Sequence, residues 1–201
     1  MQYDVTLITV RPATQAKALA ILENRQRNNA DLLACWYSEI GALNRILLIH
    51  RAADPGATLK ARQAALQSPN PFGLVEFVTG MAVDTFVPFD FLPEVKPGAL
   101  GPCYEVRSYE LKPDGLAPTL ELWRKAVPGR ITISPLLTAM TSVTGSVIRF
   151  MHIWPYPSLE ERGRLRAKAI AEGVWPPPGG PDFLASQQTD IYLPAAWSPL
   201  R

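Results

Sequence analysis

Residues 144–167 read TGSVIRFMHIWPYPSLEERGRLRA, and about a hundred positions earlier residues 40–62 read IGALNRILLIHRAADPGATLKAR. Both carry a glycine, then an apolar run with arginine near its start (Arg45, Arg149), then a polar segment that opens a helix. A strand, a glycine turn and a second strand make an antiparallel hairpin, so 34–38 and 138–142 are read as the preceding strands. The helices that follow are expected to open at 58–62 and 158–162, the second with a Ser158–Glu161 capping box and the first without one.

Working outward, Tyr3-Asp4-Val5 leads to Val10-Arg11-Pro12 as Tyr104-Glu105-Val106 leads to Leu111-Lys112-Pro113. Each is an alternating β-rich run stopped by a basic residue and a proline, which cannot donate to a ladder. A helix is expected next, over 14–29 and 116–125; in the second, Leu116, Leu120 and Trp123 fall at i, i+4 and i+7. Each half closes on a strand, 84–88 and 190–194. Strand, helix, strand, strand, helix, strand is the ferredoxin-like order. One such unit leaves a sheet face open and a second copy covers it. The sequence therefore predicts an α+β protein: two tandem βαββαβ repeats, their antiparallel sheets packed face to face as an α+β barrel. The repeats are assigned to 1–90 and 103–201, with a Pro/Gly-rich linker over 91–102. Val5, Ile46, Leu48, Val106, Phe150 and Ile153 are expected to be buried.

With 201 residues, 47% hydrophobic content and a formal charge of +2, the chain has core-forming capacity and no nucleic-acid stripe. The run Arg162, Arg164, Arg166, Lys168 follows Glu160 and Glu161 and reads as a solvated helix face. Cys35 and Cys103, without a CxxC or a neighbouring histidine, read as buried thiols rather than a metal or disulfide pair. No apolar run is long enough to span a membrane and no leader is visible, so a cytoplasmic protein without membrane partners is expected.

The segments 103–113, 149–156 and 158–162 resemble the first strand, hairpin and second helix of the NIPSNAP family. The resemblance runs from about Tyr104 to Leu193, and the first half shares it more loosely, with His50 where Trp154 stands and Ala52 where Tyr156 stands. It implies a dimeric α+β barrel fold without a defined activity. The wider superfamily includes cofactor-free monooxygenases, isomerases and some haem enzymes, and fold alone transfers none of these.

No dinucleotide, P-loop, zinc-protease or hydrolase signature occurs, and no cofactor or metal is expected. On its strand His152 shares a face with Ile148, Phe150 and Trp154, opposite Arg149, Met151 and Ile153. It is the candidate catalytic group, as a general base or an axial ligand, or else a packed core histidine. Glu105, Arg107 and Tyr109 share one strand face about 7 Å apart. Together with Trp123, Phe150 and Trp154 they form the candidate ligand-binding set, with Trp175 as a further wall and Arg149 or Arg162 as an anion contact. The expected function is binding of a small apolar or aromatic molecule, with cofactor-independent catalysis as an extension. The competing reading is a scaffold or interaction module. A homodimer formed through edge strands or helix faces is also expected.

Overall fold

The computed structural model describes residues 1–145 and 148–201, so positions 146 and 147 of the expected strand after Gly145 lie outside the described residues. The first half runs β1 (Tyr3–Val10), α1 (Gln15–Gln26), β2 (Leu32–Ile40), β3 (Arg45–Arg51), α2 (Pro55–Gln67) and β4 (Val78–Pro88). The second repeats it as β5 (Cys103–Leu111), α3 (Leu116–Ile131), β6 (Thr138–Ser142), β7 (Arg149–Tyr156), α4 (Leu159–Ala171) and β8 (Leu184–Pro194).

The eight strands close into one antiparallel barrel in the order β1-β3-β2-β8-β5-β7-β6-β4. Within each half the strands keep the ferredoxin-like arrangement, and the β2–β8 and β4–β6 ladders join the halves. The two sheets thus face each other across the barrel and are also hydrogen-bonded along both edges. The two joining ladders are short, Phe86–Pro88 against Met140–Ser142 and Trp36–Ile40 against Ile191–Pro194. The connecting segment is packed rather than loose: Phe89 and Val95 are buried, and Gly98 bridges to Leu200.

Strand residues alternate between the barrel interior and the helix-covered outside. Tyr3, Val5, Trp36, Leu47, Ile49, Phe86, Tyr104, Val106, Met140, Met151, Ile153 and Tyr192 fill the interior. There Trp36 of the first half stacks on Tyr104 of the second at 4.0 Å. Outside, Ile8, Leu32, Ile46 and Leu48 of the strands pack with Ala18 and Leu22 of α1. Tyr109, Phe150, Trp154 and Tyr156 pack with Trp123 and Val127 of α3 and Leu165 of α4. The six positions expected to be buried are all buried, but Ile46, Leu48 and Phe150 face helices instead of the opposing sheet. Both faces of the sheet are covered, so both faces of each strand can be apolar.

Several boundaries differ from expectation. Helix α2 starts one turn early because Asp54 caps it, its carboxylate accepting from the N–H groups of Gly56 and Ala57, with Pro55 in the first turn. Asp54 thus occupies the place of Ser158, and the two helices are related by an offset of 158 − 54 = 104. Ser158 accepts from the Glu161 N–H, while the Glu161 side chain turns to Arg164, so only half of the capping box forms. Helix α3 continues through Pro128 to Ile131. Strands β4 and β8 begin six residues before 84 and 190; in β8 the added segment LASQQT is too polar to show an alternating pattern.

Each half also holds a turn of the other. Asp84 of β4 accepts from Arg149 at 2.6 Å and from Thr144 Oγ1 at 3.1 Å, beside the β6–β7 turn. Asp190 of β8 accepts from the Ala42 N–H at 2.9 Å in the β2–β3 turn. There Gly41 has φ +104°, and a Cβ would lie 2.0 Å from Asp190 Oδ1. Only glycine fits that approach. Among the described residues no helix is long and apolar enough to cross a membrane.

Candidate functional site

The outer faces of β5 and β7 meet under α3 and α4, and their register sets the candidate residues in pairs: Glu105 beside Trp154, Arg107 beside His152, Tyr109 beside Phe150. Two residues per step along each strand bring all six to the same face. Next to them lies a cleft of about 190 Å³ lined by Arg107, Tyr109, Trp123, Phe150 and His152, with Thr119, Arg166, Trp175 and Leu184 contributing from neighbouring elements.

His152 is buried among rings. Trp123 stands at 4.8 Å and Tyr109 at 5.0 Å, both edge-on, and Phe150 stacks at 5.0 Å. Burial, followed by the fields of Arg107, Arg166 and Arg130, holds its pKa well below the ordinary imidazole range. The ring is therefore neutral at physiological pH. Trp154 Nε1–H donates to His152 Nδ1 at 2.6 Å. Indole nitrogen can only donate, so Nδ1 is the lone-pair nitrogen and Nε2 carries the proton. Nε2 is buried and has no hydrogen-bond partner among the described residues. His152 in this tautomer offers a proton to an acceptor; a general base or an axial ligand at Nε2 would require the opposite tautomer. Thr119 Oγ1, from the facing turn of α3, is likewise buried without a partner.

The charges around this cleft are unequal. Glu105 is completely buried, and its Oε1 lies 2.9 Å from Arg162, 3.3 Å from Arg107 and 3.3 Å from Arg166. Arg130, also buried, bonds Ser134 at 2.6 Å and lies over the Trp154 ring at 4.5 Å. Burial pulls the pKa of Arg107 and of Arg130 down, and burial pushes those of Tyr109 and Tyr156 up.

The first half has a larger cavity, about 410 Å³, in the equivalent place, but its chemistry differs. Asp4 matches Glu105 and is held by Arg62 at 2.9 Å and Thr85 at 2.6 Å. Leu48 stands where His152 does and Leu22 where Trp123 does, both buried. His50 shares a hydrogen bond with Gln26.

Of the sequence-derived set, Arg107, Tyr109, Trp123, Phe150 and His152 line the cleft, while Glu105 and Trp154 stand behind it, holding the arginines and the imidazole. Arg149 is on the other face, bound to Asp84, and Arg162 is spent on Glu105. Arg166 and Thr119 are the residues that sequence reading missed. Arg166 sits one helical turn after Arg162 on the same face of α4, a spacing hidden within an apparently solvated basic run. Both cysteines are free and buried. No cluster of three or more metal-ligating side chains occurs among the described residues.

Residues 104–199 match the family model for NIPSNAP. The second half of the chain is thus similar to the NIPSNAP family. Protein NipSnap of Drosophila melanogaster is 22% identical over 173 residues, covering 83% of this chain and 62% of the fly protein. The Dictyostelium discoideum NipSnap homologue is 26% identical over 156 residues, covering 76% of this chain and 68% of its own. The chain thus spans less than two thirds of the fly relative. Among solved structures, a proposed monooxygenase from Lactobacillus acidophilus superposes with a TM-score of 0.62 at 11% identity, covering 96% of this chain and 92% of that one. An anthrone oxidase-like protein gives 0.60 at 14% identity, covering 96% and 91%. Both share the barrel fold across both halves of this chain.

Proposed function

We propose that the cleft of the NIPSNAP domain binds a small aromatic or apolar molecule carrying an acceptor oxygen. The observation that carries this reading is the pair of buried, unpartnered groups at an aromatic-walled cleft, His152 Nε2–H and Thr119 Oγ1. A buried donor left without an acceptor costs about 1–3 kcal/mol, and an oxygen atom of a ligand would satisfy it. Trp123, Phe150 and Tyr109 offer flat apolar walls with edge-to-face geometry. A neutral imidazole N–H can also stabilise negative charge that develops on a bound oxygen, without itself exchanging a proton. Any turnover at this site is accordingly expected to build charge on a ligand oxygen, with His152 as the hydrogen-bond donor.

A thermal-shift series of aromatic ketones, phenols, quinones and acids tests this, since a ligand binding only the native state raises the melting temperature. At least one class is expected to do so and to quench the fluorescence of Trp123 and Trp175, and His152→Ala is expected to abolish both effects in protein that still folds. Absence of any shift across the series would refute the reading.

The interaction-module reading draws on α2, which has no buried residue and exposes Leu59 and Leu66, seven positions apart on one face. A second copy of the chain would seat on such a helix face. Light scattering over a tenfold concentration range distinguishes this from a monomer of 22.1 kDa.

A further inference from the structure

We infer that the cleft of the NIPSNAP domain is built for an aromatic carboxylate, a monoanion whose charge answers a surplus of arginine that the fold itself does not require. This rests on the cleft being a ligand site and specifies what enters it.

Three guanidinium groups, from Arg107, Arg162 and Arg166, converge on one oxygen of one buried acid, Glu105 Oε1. With the buried Arg130 beside them, four positive charges meet a single negative one. The first half supplies an internal comparison. At the same offsets Glu105 corresponds to Asp4, Arg107 to Thr6, Arg162 to Thr58 and Arg166 to Arg62 (105 − 4 = 101, 107 − 6 = 101, 162 − 58 = 104, 166 − 62 = 104). Asp4 and Arg62 make a one-to-one bridge across the same strand and helix. One bridge is thus enough to fasten this helix to this sheet. The second half adds Arg107 and Arg162 without adding an acid.

Charges packed this way repel unless an anion joins them. Arg107 and Arg166 both line the cleft. Arg107 commits only its Nε, to Thr189 at 3.1 Å and to Glu105, and Arg166 only its Nη1, to Glu105. Their remaining N–H groups bond to no other described residue. A planar guanidinium presents paired donors that match the two oxygens of a carboxylate. His152 Nε2–H adds a third donor to the same cleft, and the surrounding rings accept the aryl part. A flat monoanion of modest size fits about 190 Å³ with both ends satisfied.

The test compares benzoate and phenylacetate with benzamide, phenylacetamide and phenyl phosphate, reading Trp fluorescence and melting temperature, in the wild-type chain and in Arg166→Gln and Arg107→Gln. The acids are expected to bind at least about tenfold more tightly than their amides, equivalent to about 1.4 kcal/mol. Arg166→Gln should cut that preference to roughly threefold or less, and Arg166→Lys should restore part of it. Equal binding of acids and amides would overturn the carboxylate inference while leaving the cleft as a site for neutral ligands. Tighter binding of phenyl phosphate would overturn the choice of carboxylate. A preference unchanged in both arginine variants would remove the cluster from the site. No response to any of the compounds would overturn both this inference and the ligand site beneath it.

Discussion

His152 makes the stability of the protein depend on pH in a direction that can be worked out in advance. Its folded pKa lies well below the usual value, through burial first and then through Arg107, Arg166 and Arg130. In the unfolded chain the same imidazole titrates near 6.5. Above that pH neither state is protonated and the contribution to stability is complete. As pH falls below it, the unfolded state takes up a proton that the native state refuses, so stability is lost progressively toward the depressed folded pKa. Each pH unit in that window costs about 1.36 kcal/mol per histidine, so a fall from 6.5 to 5.0 costs at most about 2 kcal/mol for His152, the limit reached if the folded ring stays neutral throughout. His50, also shifted down by burial and partly opposed by Asp4 and Asp31, acts in the same direction. Substituting His152→Gln isolates the effect, because the amide oxygen can accept the Trp154 N–H and does not titrate. Urea unfolding at pH 7.0, 6.0 and 5.0 should show the wild type losing more stability than the variant as pH falls, by up to about 2 kcal/mol across the range. Parallel curves would mean that the imidazole is accessible to protons in the native state, and the case for a neutral, proton-donating His152 would collapse.

Replacing Glu105 by glutamine leaves the clustered arginines without their acid and should destabilise the protein by about 3–5 kcal/mol in urea melts; a loss below about 1 kcal/mol would show that the cluster is solvated. Gly41→Ala forces a left-handed backbone and a contact with Asp190, and is expected to cost at least about 1–2 kcal/mol by the same assay. Cys35, its thiol pushed up to about 12 by burial, and the buried Cys103 should both resist iodoacetamide in the native protein and react in urea; labelling at native pH 8 would contradict their placement.

The repeat was legible because both hairpins carry the same glycine-strand-helix grammar, and alternation placed Glu105, Arg107 and Tyr109 on one face of β5 and Phe150, His152 and Trp154 on one face of β7. The pairing of Arg107 with His152 and of Tyr109 with Phe150 is set by the ladder register, which alternation does not encode. The ends of β4 and β8 stayed hidden because half-exposed strand ends have no apolar period. The early start of α2 has no apolar signal, because its first turn is Pro55-Gly56-Ala57 and its cap is the aspartate at 54, which stands where Ser158 does. The tautomer of His152 depends on Trp154, two positions along the same strand, turning its N–H toward the ring, and no periodicity encodes that. Arg166 escaped for the opposite reason: Arg162, Arg164, Arg166 and Lys168 look alike in one dimension, and only the buried Glu105 across the sheet separates them.

Joining the halves in one chain has a consequence for how the protein can vary. In a barrel made from two identical subunits every substitution is made twice, at symmetry-related places. A pair of identical clefts of the second-half kind would gather eight guanidinium groups around two carboxylates in one barrel, doubling the repulsion that a single copy sustains. Covalent tandem linkage breaks that obligation. One half can keep the plain Asp4–Arg62 bridge and an apolar Leu48, and bear the task of closing the barrel. The other is then free to hold an electrostatically uncomfortable arrangement whose strain is felt once.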